Sequence, residues 1–130
     1  MTRFTELLVL TISLGMALAL PGSALAADPI TQVVTIDTNG KTDALLAHKA
    51  SNEKIFKRLG IDAKRRYMQA SLAGPNTGSV AVVIEYPSLS AMAAAQEKLQ
   101  ADPEWRKYID EITKAGLTVQ SNSIWVEMQP

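Results

Sequence analysis

Cysteine is absent from this chain, and histidine occurs once, at position 48. The first absence excludes a disulfide framework, a thiolate metal site, a cysteine nucleophile and a lipid-acylated amino terminus. The second leaves carboxylates as the plentiful metal ligands, and the adjacent pair Asp110-Glu111 points apart on a helix, so no metal site is expected. An excess of charge of either sign is missing too: 13 Lys and Arg balance 13 Asp and Glu. Neutrality argues against nucleic acid as a partner, because phosphates demand a basic surface. The basic cluster Lys64-Arg65-Arg66 is short and reads as the solvated start of a strand. No nucleophile elbow or phosphate-cradling motif occurs, so the residues specify no reaction. No cofactor is implied, since haem ligation by His48 would have nothing else in the chain to support it.

The first 26 residues read as an export signal. Arg3 supplies a positive start, an uncharged and mostly apolar run extends from Leu7 to Leu20, Pro21-Gly22 breaks it, and Ala24-Leu25-Ala26 is an A-x-A cleavage site. That run is shorter than the roughly 18–20 residues needed to span a bilayer, which favours cleavage after Ala26 over a retained anchor. A periplasmic or secreted protein is expected, with residues 27–130 forming one domain. Neither helix of that domain pairs a Lys/Arg-rich face with large apolar residues, so no membrane contact is expected after cleavage.

Within the domain the periodic segments run strand, helix, strand, strand, helix, strand. Ile30 to Asp37 is rich in Val, Ile and Thr and is closed by Thr38-Asn39-Gly40. Thr42 or Asp43 can cap a helix running to about Leu59, with Gly60 placed to end it. A second strand over Ala63–Ala73 puts Arg66, Met68, Ala70 and Leu72 on one face, opposite Arg65, Tyr67, Gln69 and Ser71. The turn Gly74-Pro75-Asn76-Thr77-Gly78 sends the chain back as a hairpin into Ser79–Tyr86, apolar enough for burial on both faces. Ser88 caps a helix to about Ala101, with Gln96 among the apolar residues of its inner stripe. Asp102-Pro103 then restarts a helix carrying Trp105, Tyr108, Ile109 and Ile112 on one stripe until Gly116. Leu117–Met128 is the last strand.

Two βαβ units with right-handed crossovers give an α+β, ferredoxin-like βαββαβ fold: a four-stranded antiparallel sheet with its helices on one face. The other face needs a cover, and a second copy paired by C2 symmetry is the economical one, so a homodimer is expected.

The segment Gly78-Ser79-Val80-Ala81-Val82-Val83-Ile84-Glu85-Tyr86-Pro87-Ser88-Leu89, the Ala-rich helix Ala91–Leu99 and the restart Ala101-Asp102-Pro103-Glu104-Trp105 resemble the dimeric α/β-barrel superfamily. The likeness is greatest to its NIPSNAP-like and antibiotic-biosynthesis-monooxygenase-like branches. It covers the whole domain in layout and mainly the second half in residues. It implies sheet-to-sheet pairing into a dimeric α/β barrel and a ligand pocket between sheet and helices. It carries over no catalytic set, because no position matches a defined family motif, and fold membership says little about reaction.

Leu45, His48, Lys49, Asn52, Ile55, Phe56 and Leu59 share one face of the first helix. His48 and Asn52 therefore interrupt an apolar stripe, and a pocket with a few convergent polar groups is how a small-molecule site looks. His48 can act there as a proton donor or acceptor, with Asn52 orienting a carbonyl or hydroxyl group. The competing reading makes His48 a satisfied structural residue, lets Lys49 snorkel to solvent, and bonds Asn52 to a strand. Tyr67, Tyr86, Trp105, Tyr108 and Trp125 either stack on a planar molecule or pack the core and dimer interface. If the face bearing Tyr67 and Arg65 meets the partner, its polar groups belong to a wet interface or an internal cavity.

The ligand-binding candidates are His48, Asn52, Phe56, Tyr67 and Trp105. The leading expectation is a non-catalytic protein that binds a small apolar or aromatic molecule between the first helix and the sheet. The alternatives are a cofactor-free monooxygenase or isomerase using the same pocket, and an interaction module with a filled core.

Overall fold

The computed structural model describes residues 28–71, 74–128 and 130. The expected leader lies outside those residues, as do positions 72 and 73 of the predicted second strand. The elements are β1 (Ile30–Asp37), α1 (Thr42–Arg58), β2 (Lys64–Gln69), a 3-10 turn (Gly74–Asn76), β3 (Val80–Tyr86), α2 (Leu89–Ala101), α3 (Pro103–Lys114) and β4 (Thr118–Val126). All neighbours in the sheet are antiparallel, in the order β2-β3-β1-β4. This is the ferredoxin-like arrangement, with α3 as an added helix.

Local chemistry sets most of these boundaries. Ser88 Oγ accepts the Ala91 N–H at 3.0 Å and starts α2. Asp102 Oδ2 accepts the Trp105 N–H at 3.0 Å, and Pro103 occupies the first turn of α3, where its missing N–H costs nothing. The helices α1 and α3 both end in Schellman motifs. Gly60 at φ +66° lets Ile61 N–H reach Phe56 O at 3.0 Å, and Gly116 at φ +84° lets Leu117 N–H reach Ile112 O at 3.2 Å.

Two of the boundaries that differ from expectation have a clear local cause. Helix α1 begins at Thr42 behind Lys41, and no side chain caps it. A tight turn precedes it, with Asn39 and Gly40 at positive φ and Lys41 N–H on Thr38 O at 2.8 Å, so Thr42 already lies in the first helical turn. Strand β2 stops at Gln69 because the hairpin closes early, through Gly78 N–H to Ala70 O at 2.8 Å and Ala70 N–H to Ser79 O at 2.9 Å.

The core lies between the helices and one face of the sheet. Ile30, Ile36, Val82, Ile84 and Tyr86 supply the sheet side, Leu45, Ile55 and Phe56 come from α1, and Met92, Leu99, Tyr108 and Ile112 come from α2 and α3. The Arg65 and Tyr67 side chains also turn toward the helices, so the β2 face that carries them lines the interior.

The opposite face is less apolar than the run of β3 predicts. Val83 is buried there, but Ala81 and Glu85 are partly exposed, and cross-strand neighbours place Lys64, Glu85, Thr31 and Trp125 in one row. Alternation explains the difference: every second residue of β3 faces outward, and those residues are Ala81, Val83 and Glu85. Trp125 and Met68 stand out on this side, 63 % and 53 % exposed. No helix among the described residues is long and apolar enough to cross a membrane.

Candidate functional site

Between the sheet and the three helices lies a partly open cavity of about 80 Å³. Its floor is Val34, Ile36, Val82 and Ile84 from the central strands, and its sides are Leu99, Ile109 and Ile112 with a wall of aromatic rings. In that wall the Trp105 ring stacks on Tyr108 with centroids 5.1 Å apart, and Phe56 meets Trp105 edge-on at 6.1 Å. Such pairs hold large rings in fixed orientations, which keeps the space between them from collapsing.

Polar groups enter this apolar space from four elements: Gln32 of β1, Asn52 of α1, Gln96 of α2 and Asn122 of β4. Gln32 is 2 % exposed, and its Nε2 donates to Asn122 Oδ1 at 2.9 Å. Its Oε1 is buried with no hydrogen-bond partner, and the Tyr86 hydroxyl makes no hydrogen bond of normal length, although the Gln96 amide lies close enough to act on it. An unsatisfied buried polar atom costs about 1–3 kcal/mol, so two in residues that line one cavity are a feature to be explained.

The tyrosines are held in their neutral form. Burial raises the pKa of Tyr86, against smaller opposing influences from Arg65 and the Gln96 amide. Burial also raises Tyr67 and Tyr108, with the Arg65 charge acting in the opposite direction on each and Asn52 doing the same at Tyr108. Neutral hydroxyls at ordinary pH can donate as well as accept.

Arg65 stands beside this wall. Its Cζ lies 4.1 Å from the Phe56 ring centroid, and its Nη1 donates to Asn52 Oδ1. Far from being the solvated start of a strand, the guanidinium is half-buried and packed on α1.

The model of one family, NIPSNAP, matches residues 35–129. The chain belongs to the NIPSNAP family. Its fold is also that of a NIPSNAP family protein of unknown function from Agrobacterium tumefaciens str. C58, at TM-score 0.58 and 19 % identity, covering 80 % of this chain and 89 % of the other. The crystal structure of methylated RPA0582 protein is similar at TM-score 0.54 and 16 % identity, covering 80 % and 84 % of the two chains. No curated protein matches significantly.

Of the residues singled out from the sequence of this NIPSNAP chain, Asn52, Phe56, Tyr67 and Trp105 all line the cavity. His48 does not. It is half-buried one turn before Asn52, and its ring lies 6.3 Å from that of Tyr108 in a T-shaped contact, against a residue that does line the cavity. Lys49 is on the surface as a snorkelling residue, paired with Glu53 at 3.8 Å and 5.3 Å from the Tyr67 ring centroid. Sequence reasoning missed Gln32 and Asn122. A signal for the first was present: in β1 the inward positions are Ile30, Gln32, Val34 and Ile36, so one amide interrupts an aliphatic strand face.

Proposed function

We propose that this NIPSNAP protein is an exported binding protein that takes up a small molecule in the cavity between α1 and the sheet. One observation carries the reading: two residues that line one cavity, Gln32 and Tyr86, each hold a buried side-chain oxygen with no hydrogen bond of normal length. A ligand that bonds to them recovers the cost the fold otherwise bears.

The volume limits the ligand. About 80 Å³ is well below the roughly 300 Å³ at which sites for drug-sized ligands begin. The occupant is a compact molecule, or the buried end of a larger one that leaves through the open side. His48, outside the wall, has no part in this reading except to support the Tyr108 ring. No described pair of groups forms an acid–base couple in the cavity, so binding is favoured over turnover.

The open face of the sheet takes a second copy, with Val83, Met68 and Trp125 the apolar contacts that a symmetric partner would cover. Native mass spectrometry of the protein purified from the compartment it is exported to tests both parts. A dimer mass carrying removable extra mass is expected. A bare monomer would refute both the pairing and the uptake, and a bare dimer would refute the uptake alone.

A further inference from the structure

Arg65 is a half-buried guanidinium that makes no ion pair among the described residues. Its sequence neighbour Arg66 pairs with Glu85, and Arg58 with Asp102 and Glu104. Arg65 instead rests on the Phe56 ring and donates to Asn52, two residues of the cavity wall. A guanidinium has five N–H donors, and a neutral amide occupies few of them and none of the charge.

The far side of the cavity is different. Arg65 is opposite Ile84 and Ile84 is opposite Gln32, so Arg65 and Gln32 lie in one cross-strand row with a single strand between them. At roughly 4.8 Å per strand their backbones are about 10 Å apart. Gln32 offers an unpartnered carbonyl oxygen, an acceptor. Between the two lie apolar side chains, and no Asp or Glu is among the described residues that line the space. The cavity thus has an apolar middle and an accepting side at Gln32, and Arg65 places a positive charge behind the Asn52–Phe56 part of its wall.

We infer that the ligand is a small hydroxycarboxylate, its carboxylate toward Arg65 and Asn52 and its hydroxyl donating to Gln32 Oε1. This rests on the reading of the cavity as a ligand site. A carboxylate is the planar group that a guanidinium fork matches best. An amino acid is excluded, because its ammonium would be buried with no counter-charge on the accepting side. The lowering influence of Arg65 on all three tyrosines agrees with a positive potential across the wall.

Calorimetric titration of the purified protein with glycolate, lactate and 3-hydroxybutyrate, each beside its amide and its acid lacking the hydroxyl, tests this directly. One hydroxy acid of the series is expected to bind at least about tenfold more tightly than both analogues, a difference of about 1.4 kcal/mol. Its affinity should fall as salt rises. Arg65→Gln should erase the preference for acid over amide while leaving amide binding in place, and Arg65→Lys should restore part of it. An amide that binds the wild-type protein as well as its acid would overturn the inference and leave the ligand cavity standing. No heat of binding from any compound of the series would overturn both. The wild-type comparison of acid with amide keeps the test decisive even if an Arg65 variant fails to fold.

Discussion

Replacing Tyr86 by Phe removes one oxygen atom from the cavity wall and should stabilise the protein. Tyr86 is 2 % exposed, its hydroxyl makes no hydrogen bond of normal length, and its ring packs in the core. A buried hydroxyl without a partner costs about 1–3 kcal/mol by mutational series, and the Phe ring keeps every apolar contact. The gain is set near the low end, about 1 kcal/mol, because the Gln96 amide lies close enough to act on the hydroxyl and offsets part of that cost. For a domain of this size that is a rise of roughly 4–8 °C in Tm. In urea it is a shift of about 0.5–1 M in the midpoint at unchanged slope. The same variant should bind the cavity's ligand more weakly, so stability rises as affinity falls. Urea unfolding of both proteins without ligand is the assay. A loss of 1 kcal/mol or more in Tyr86→Phe would show that the hydroxyl is well bonded, and the case for an unsatisfied wall would fail.

Gly60→Ala should cost about 1 kcal/mol in thermal unfolding, because φ there is +66° and the added Cβ meets nothing within 4 Å, so backbone strain is the whole effect. Gly60→Asn should cost less, since Asn tolerates the left-handed region better. At high pH the buried Tyr86 and Tyr108 and the partly buried Tyr67 oppose unfolding only while protonated. Their folded pKa values lie above the ordinary value of about 10, so stability should hold below that pH and fall as it rises further. An alkaline denaturation curve of Tyr86→Phe should be the shallower one. At the acid end, the Arg58 guanidinium and the Trp105 N–H hold the Asp102 carboxyl below the usual range. Its contribution is present above the ordinary value of about 3.9 and is lost as pH drops past it. Asp102→Asn should flatten that acid limb, and an unchanged curve would contradict the assignment.

Where local chemistry decides, the chain can be read without its structure. The Val-, Ile- and Thr-rich run and the turn Thr38-Asn39-Gly40 mark β1, Ser88 and Asp102-Pro103 place the starts of α2 and α3, and Gly60 and Gly116 place two helix stops. The α1 start was not legible, because a side chain able to cap does so only if the preceding turn leaves it outside the helix. Site residues divide in the same way. Asn52, Phe56, Tyr67 and Trp105 are visible as members of faces, because faces follow from period alone. His48 instead packs against Tyr108, 60 positions away in the chain, a contact that its own helix face cannot reveal. The Gln32–Asn122 bond joins positions 90 apart, and only the strand order brings them together. For Arg65 two signals conflict: a run of three basic residues points to solvent, while alternation puts it on the Tyr67 face, and the structure follows the alternation.

A high-resolution crystal structure of the protein purified from its own host, with no ligand added, measures most directly whether the cavity is a binding site. The expected result is a bound organic molecule with polar atoms about 2.7–3.2 Å from both Gln32 Oε1 and the Tyr86 hydroxyl. Ordered waters alone bridging those two oxygens would contradict it, since the two groups would then be satisfied by solvent and the space would be part of a hydrated core.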